Sequence, residues 1–205
     1  MIRLYDYWRS SASYRLRIAL GLAGLAWETH SVDLLAGQQQ SPEHLAINPQ
    51  GLVPALEIDG QILTQSLAII EYLDETRGIG LLPDMSIDRA RVRALSYAIA
   101  MEIHPICNTR VAKHAVACSN GAITLEDWMQ DFIGPGLAAF ETMIGDADYC
   151  YGNRVSMADI CLVPQVFNAR RWGVDLTPMP KISRITGHLE MLPAFANAHP
   201  DKAPH

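Results

Sequence analysis

All strand signals of this chain fall within its first 64 residues. Short apolar runs, several with alternating or β-branched residues, predict four strands at 2–7, 27–35, 53–58 and 61–64. A helix predicted at 14–23 joins the first two strands, which should therefore be parallel. The turn at 59–60 (DG) joins the last two as an antiparallel hairpin, and a helix at 66–76 follows. This order, β-α-β and then β-β-α, indicates a small α/β domain.

The rest of the 205-residue chain is helical in character. Apolar residues at helical spacing predict helices at 88–107, 125–144, 160–167 and 189–198. We expect the second of these to be broken or kinked at 134–136 (GPG), because proline interrupts the helical hydrogen-bond ladder. Ser156 and Asp159 have the spacing of a capping box in front of the third. The prediction is an α/β domain at 1–80 followed by an all-α domain at 86–205.

Composition narrows the class of protein. Sixteen basic against 22 acidic residues give a net charge of −6, which argues against nucleic acid as a partner. No run approaches the roughly 18 apolar residues of a membrane span, and the first residues do not resemble a signal peptide. We therefore expect a soluble, cytoplasmic protein without a membrane partner. The four cysteines lack the spacing of a zinc site, and their apolar neighbours predict buried free thiols.

Two helix starts in the first domain could hold anions. Ser10 and Ser11 join the first strand to the first helix, where unpaired N–H groups and hydroxyls stabilise a negative charge such as a thiolate. Gln65 and Ser66 begin the helix after the hairpin and could hold a carboxylate in the same way. The simpler interpretation in each case is a residue that caps the helix.

Val53 and Pro54 stand where a loop enters the third strand. A proline at this position cannot donate to the strand ladder, and a cis peptide bond would leave the backbone of Val53 available to an extended peptide ligand. The alternative is an ordinary trans proline at the start of a strand.

Taken in order, these segments resemble the glutathione transferases. The resemblance rests on residues 48–54 (NPQGLVP) and 65–73 (QSLAIIEYL), and 8–20 (WRSSASYRLRIAL) resembles the signature of the zeta class. In the second half, the segments that agree with this class are 103–108 (IHPICN), 157–159 (MAD), 162–166 (LVPQV) and 174–178 (VDLTP). The resemblance therefore spans almost the whole chain.

The resemblance implies a fold, a cofactor and a set of site residues. The fold is a thioredoxin-like domain with a cis Pro54, followed by a helical domain, in a homodimer. The cofactor is glutathione, whose thiolate Ser10 and Ser11 would stabilise. The residues that would bind glutathione are Gln39, Val53, Pro54, Gln65, Ser66, His104 and Asn108. For His104 the alternative is a core or dimer-interface histidine, and for Asn108 a hydrogen bond at a helix end.

The class implies an activity as well. Its members isomerise maleylacetoacetate, and bacterial relatives isomerise maleylpyruvate, by addition of the glutathione thiolate, rotation about the former double bond and elimination. Ala12 replaces the cysteine of the family's serine-serine-cysteine signature, so no enzyme thiol is available at that position. The sulfur must come from glutathione.

A dicarboxylate substrate requires cations. The candidates are Arg9, Arg110, Arg170 and Arg171, because guanidinium groups bind carboxylates through paired hydrogen bonds. Each could instead form a structural ion pair, and we interpret Arg15 and Arg17 of the first helix as structural. His104 and Arg110 are six positions apart, so we expect both to line one wall of a cleft.

Two other functions remain open from the sequence. One is a broad-specificity glutathione transferase that acts on small electrophiles such as α-halo acids. The other is a non-catalytic binding module of the same fold, against which the retained serines, Pro54, Gln65 and Ser66 argue.

Overall fold

The computed structural model describes residues 1–204 and divides into two compact units. The first contains Met1–Leu81 together with the chain from Met191 onward, and the second is Leu82–Glu190. Within the described residues, no helix is long and apolar enough to cross a membrane.

A four-stranded sheet forms the centre of the first unit. Its strands are β1 (Arg3–Asp6), β2 (Glu28–Ser31), β3 (Ala55–Ile58) and β4 (Gln61–Thr64), in the spatial order β2-β1-β3-β4. As predicted, β1 and β2 are parallel and β3 and β4 antiparallel, while β1 also pairs antiparallel with β3. The peptide bond between Val53 and Pro54 is cis, which confirms that expectation. The thioredoxin-like domain is confirmed.

Three helices of the first unit belong to its N-terminal part. They are α1 (Ser11–Leu22), α2 (Pro42–Ile47) and α3 (Ser66–Arg77). α1 and α3 were expected, and both carry apolar residues that are fully buried, such as Leu16, Leu20 and Ile69. The sequence analysis missed α2 because its six residues show no clear apolar period, although Ser41 caps it and Pro42 occupies its first position.

The C-terminal segment packs on the first unit, although the sequence analysis assigned residues 86–205 to the helical domain. α9 (Pro193–Ala198) lies against α1, and Gly21 provides the space for it. A Cβ at Gly21 would stand 3.3 Å from the Cβ of Ala194. The Arg17 Nε donates to the carbonyl of Ala198 at 3.0 Å. These contacts join two segments that are far apart in the sequence.

The second unit is entirely helical within the described residues. Its helices are α4 (Ser86–Tyr97), α5 (Thr109–Cys118), α6 (Leu125–Met143), α7 (Met157–Arg171) and α8 (Pro180–Glu190). A π-helical segment, Ala98–Ile103, continues α4. The predicted capping box is confirmed at the start of α7, where the buried Asp159 carboxylate accepts from the backbone N–H and hydroxyl of Ser156.

The helix predictions for this part of the chain were partly wrong. The helix expected at 88–107 leaves α geometry at Ala98, and the helix expected at 189–198 is divided between the end of α8 and α9. α5 and most of α8 were missed. Pro193 causes this division because it cannot continue a helix but fits the first position of one. The break expected at 134–136 does not occur. α6 runs through Pro135, and Ile133 and Leu137 on either side of it are buried.

Candidate active site

The start of α1 leaves two backbone N–H groups without an acceptor in the helix. Ser10 is the N-cap: its Oγ accepts from the N–H of Ser13 at 3.2 Å, and its carbonyl accepts from Tyr14 at 2.8 Å. The N–H groups of Ser11 and Ala12 therefore remain for another acceptor. Together with the positive end of the helix dipole, they form a setting that favours an anion.

The side chains at this helix start supply hydroxyls and no thiol. The Ser10 Oγ accepts a hydrogen bond, so its own proton can still be donated outward. Ser11 is mostly buried at the first helical position, and Ala12 contributes only a methyl group. Ser10 therefore caps α1, as the simpler interpretation expected. This cap does not exclude an anion bound by the hydroxyl of either serine.

α3 presents a second uncapped helix start. Its N-cap is Gln65, whose side chain makes no capping hydrogen bond and whose φ is positive at 68°. The first intrahelical bond runs from Ile69 N to the Gln65 carbonyl, so the three preceding amides have no acceptor within the helix. The Gln65 Nε2 donates to the Oε1 of Gln50 at 2.7 Å. Capping by the Gln65 side chain is therefore excluded, and the site is open to a carboxylate.

The segment before β3 has further polar groups without hydrogen bonds. Within residues 1–204, the backbone of Val53 makes no hydrogen bond, whereas the neighbouring Leu52 carbonyl accepts from both His44 and Asn48. The buried Oε1 of Gln39 also has no partner in this part of the chain. An unbonded backbone just before a strand is able to pair with an extended peptide ligand.

Gly51 allows the loop that carries Gln39 to approach this segment. Its φ is 62°, a conformation that favours glycine, and a Cβ here would stand 2.3 Å from the Nε2 of Gln40 and 3.1 Å from the carbonyl of Gln39. The Gln40 side chain donates to the Gly51 carbonyl at 3.3 Å.

Two residues of the first unit that the sequence analysis did not assign to the site lie at the α3 start. One is Gln50, the partner of Gln65. The other is Arg15, whose Nη1 donates to the Ser66 Oγ at 3.3 Å. An arginine within an otherwise apolar helical face was the available signal, because buried charges require polar partners.

His104 and Asn108 flank a short turn in the second unit. The His104 N–H donates to the Ile99 carbonyl and closes the π-helical segment, a local geometry that is frequent at functional sites. Asn108 is the N-cap of α5, and its Oδ1 accepts from the Arg110 N–H at 3.0 Å. The helix-end alternative therefore holds for Asn108, whose side-chain NH₂ is still able to donate. Trp128 fixes the turn by donating its indole N–H to the Ile106 carbonyl at 3.0 Å.

The thiol in this turn is a poor nucleophile. Burial raises the pKa of Cys107 to about 11, so it is protonated at neutral pH. Burial also raises the pKa of Cys150, with the Asp159 carboxylate beside it. All four cysteines are free, as predicted. The expected burial was wrong for Cys118, which is exposed at the end of α5.

The four candidate substrate arginines have different surroundings. Arg9 donates to the Tyr7 hydroxyl at 3.2 Å and stacks 4.7 Å from the Trp8 ring. Arg170 forms an ion pair of 2.6 Å with Glu190, and Arg171 stacks 4.7 Å from the ring of its neighbour Trp172. These contacts match the structural alternative for the last two.

Arg110 differs from this set. It is exposed on the first turn of α5, and its guanidinium has no ion-pair partner within the described chain. It is therefore able to bind a carboxylate. No cluster of three or more metal-binding side chains occurs in residues 1–204.

Comparison with known proteins identifies the family. The N-terminal domain model of glutathione S-transferases matches residues 1–75, and a C-terminal domain model of the same family matches residues 126–190. A curated relative from Rhizobium meliloti, named maleylacetoacetate isomerase, is 60% identical over 98% of this chain and 96% of its own length. The chain belongs to the glutathione S-transferase family.

Solved structures place this glutathione S-transferase in the zeta class. A bacterial maleylpyruvate isomerase described as a zeta-class enzyme superposes with a TM-score of 0.93 at 40% identity, covering 98% of both chains. A maleylacetoacetate isomerase from Methylobacterium extorquens AM1, solved with malonate and glutathione bound, has a TM-score of 0.91 at 40% identity and the same coverage. The class predicted from residues 8–20 is confirmed.

Proposed function

We propose that this zeta-class protein is a glutathione-dependent cis–trans isomerase of a maleyl dicarboxylate, either maleylacetoacetate or maleylpyruvate. The observation that carries the proposal is the 60% identity, over nearly the full length of both chains, to a relative named maleylacetoacetate isomerase. The relative solved with both glutathione and malonate supports a site that accepts a dicarboxylate beside the cofactor.

The first unit provides groups for each part of glutathione. The α-carboxylate of the γ-glutamyl end would take the unpaired amides of α3 and the hydroxyl of Ser66, next to Gln65. The cysteinyl backbone would pair with the unbonded backbone of Val53, which precedes Pro54. The buried and unpaired Oε1 of Gln39 would accept an N–H of the tripeptide.

The start of α1 would hold the sulfur. When bound, glutathione supplies a thiolate that adds reversibly to an activated cis double bond and so permits rotation about it. The amides of Ser11 and Ala12 favour the ionised form of the thiol, because they place partial positive charge beside it. The hydroxyls of Ser10 and Ser11 would donate to the sulfur, and we assign them the catalytic role.

The remaining residues act on glutathione or on the substrate. On the strength of the resemblance, His104 and Asn108 contribute to glutathione binding. Arg9 and Arg110 bind the substrate carboxylates, because neither has an acidic partner in the described chain. Arg170 and Arg171 contribute less to substrate binding, since Arg170 pairs with Glu190 and Arg171 stacks on the Trp172 ring.

We also propose a homodimer, as the zeta-class resemblance implies, and a cytoplasmic location, as the composition predicts. Sedimentation equilibrium at micromolar concentration tests the dimer. Twice the 22.6 kDa chain mass is expected, and a single chain mass at all concentrations would exclude the dimer.

The activity is tested by offering maleylacetoacetate and maleylpyruvate to the protein with and without glutathione. Formation of the trans isomer only when glutathione is present is expected. Conjugation or dehalogenation of α-halo acids without isomerisation would indicate the broad-specificity transferase instead. Glutathione binding without turnover of any of these compounds would indicate a binding module.

The binding mode has its own test. A crystal structure of the glutathione complex is expected to show the γ-glutamyl group at Ser66 and the cysteinyl backbone against Val53. A γ-glutamyl group bound away from the start of α3 would contradict it.

A further inference from the structure

Arg15 is one of the largest fully buried side chains of the protein. It lies on α1, only 1% of it is exposed, and its Nη1 donates to the Oγ of Ser66 at 3.3 Å. Arg17, two residues further along α1 and about 200° around the helix axis, has a different partner. Its Nη1 donates to both oxygens of the Asp6 carboxylate, at 2.8 and 2.7 Å. The two arginines therefore have distinct roles, although the sequence analysis treated both as structural.

The contact with Arg15 determines how the Ser66 hydroxyl can act. A serine hydroxyl has one proton to donate and two lone pairs to accept with. Arg15 occupies a lone pair, because a guanidinium group can only donate. The Ser66 proton remains available, and no other side-chain hydrogen bond to this hydroxyl occurs in residues 1–204. Ser66 is the first residue of α3 and is 7% exposed.

Charge adds to this effect. The guanidinium of Arg15 contacts the Ser66 Oγ, and the amides at the start of α3 carry the positive end of the helix dipole. Both sources favour a negative group on the open side of Ser66. A hydroxyl that accepts from a cation is also a stronger donor, because the hydrogen bonds of a chain polarise one another.

We propose that Arg15 is a positioning residue for the α-carboxylate of the γ-glutamyl group and that it acts through Ser66. This inference rests on the proposed glutathione site. Arg15 holds the Ser66 Oγ as an acceptor, turns its proton toward the ligand and places a buried positive charge behind it. The residue does not touch glutathione itself.

The test is a thermodynamic cycle that combines substitution of Arg15 with removal of the α-carboxylate from the ligand. Calorimetry compares glutathione with γ-aminobutyryl-cysteinylglycine, which lacks only the α-carboxylate. The wild-type protein should prefer glutathione by about tenfold or more, the value of a charged hydrogen bond. Arg15→Met should remove most of this preference and leave the affinity for the analogue nearly unchanged.

Matched variants separate positioning from folding. Arg17→Met removes an equally buried arginine of α1 and should retain the preference for glutathione, even if its melting temperature falls. Ser66→Ala should reduce the preference for glutathione over the analogue. Adding Arg15→Lys to the Ser66→Ala variant should reduce this preference no further. If Arg15→Met does not fold, the Arg15→Lys and Ser66→Ala pair decides the question.

Several outcomes would overturn the inference. An equal loss of affinity for both ligands in Arg15→Met would make Arg15 purely structural, as would additive losses in the double variant. A wild-type protein that binds both ligands equally would exclude the carboxylate subsite. Failure of the wild-type protein to bind glutathione at all would instead overturn the proposed function.

Discussion

The Oγ of Ser10 lies 3.2 Å from the backbone nitrogen of Ser13, and this hydrogen bond makes Ser10 the N-cap of α1. Ser11, the next residue, begins the helix and has no part in the cap. The serine pair of the proposed thiolate site is thus divided between a residue that also supports the helix and one that does not. Substitutions at the two positions should differ in stability even where they agree in activity.

Replacing each serine by alanine tests this difference. Ser10→Ala should lower the free energy of unfolding by about 1 kcal/mol, the usual contribution of a serine N-cap, whereas Ser11→Ala should leave it nearly unchanged. Both should reduce turnover at neutral pH more than they weaken glutathione binding, because most of the affinity comes from backbone contacts. Denaturant titrations and initial rates provide the two readouts. Unchanged turnover in both variants would refute the thiolate role.

Loss of one partner of the buried ion pair between Asp6 and Arg17 should strongly destabilise the first unit. Both side chains are almost fully buried, and Arg17 also donates to the carbonyls of Trp8 and Ala198. Arg17→Met leaves the Asp6 carboxylate buried without its cation, which should lower the free energy of unfolding by about 3–5 kcal/mol. Limited proteolysis should then remove α9 faster, because the Ala198 contact is lost.

An exposed pair provides the control. Arg184 and Asp148 approach to 3.2 Å at the surface of the second unit. Arg184→Met should change the free energy of unfolding by less than about 1 kcal/mol. Equal effects of the two substitutions in urea titrations would show that burial of the Asp6 pair has no energetic consequence.

Arg110 and Arg170 should differ in substrate binding. Arg110→Met should lower kcat/KM for maleylpyruvate by a factor that corresponds to roughly 1.5–3 kcal/mol of transition-state free energy. The kcat/KM for a neutral electrophile should remain nearly unchanged. Arg170→Met should change both values little, because its guanidinium already pairs with Glu190. The two substrates are assayed in parallel. An equal loss on both would assign Arg110 to the fold or to glutathione binding, and no loss on either would exclude it from the site.

One of the four cysteines, Cys118, should react with thiol reagents before the other three. Cys118 is exposed, whereas Cys107, Cys150 and Cys161 are buried. Burial raises the pKa of Cys107 to about 11 and also raises that of Cys150, so both are protonated at pH 8 and lack the reactive thiolate. Iodoacetamide at pH 8 should modify the native protein at Cys118 first, with all four sites reacting in denaturant. Peptide mass spectrometry identifies the site, and early modification of Cys107 would contradict the burial.

Local patterns in the sequence predicted the sheet and its connections. The hairpin formed as expected because the turn at 59–60 is short and specific. The helix ends near Pro193 and at the π-helical segment were harder to predict, since periodicity continues through both. Cys118 was misplaced for a related reason: apolar neighbours along the chain do not reveal which face of a helix is covered.

The sequence by itself determined the order of the four strands with α1 and α3, the two helix starts of the proposed glutathione site and the absence of a thiol at residue 12. These are local properties, fixed by turn residues, uncapped amides and the side chain present at one position. Only the tertiary structure brought Arg15 to Ser66 across 51 positions and joined Arg17 to α9 across 181. Such contacts depend on which buried polar groups meet when distant segments pack, because a buried charge is stable only beside a partner, and no local pattern specifies that partner.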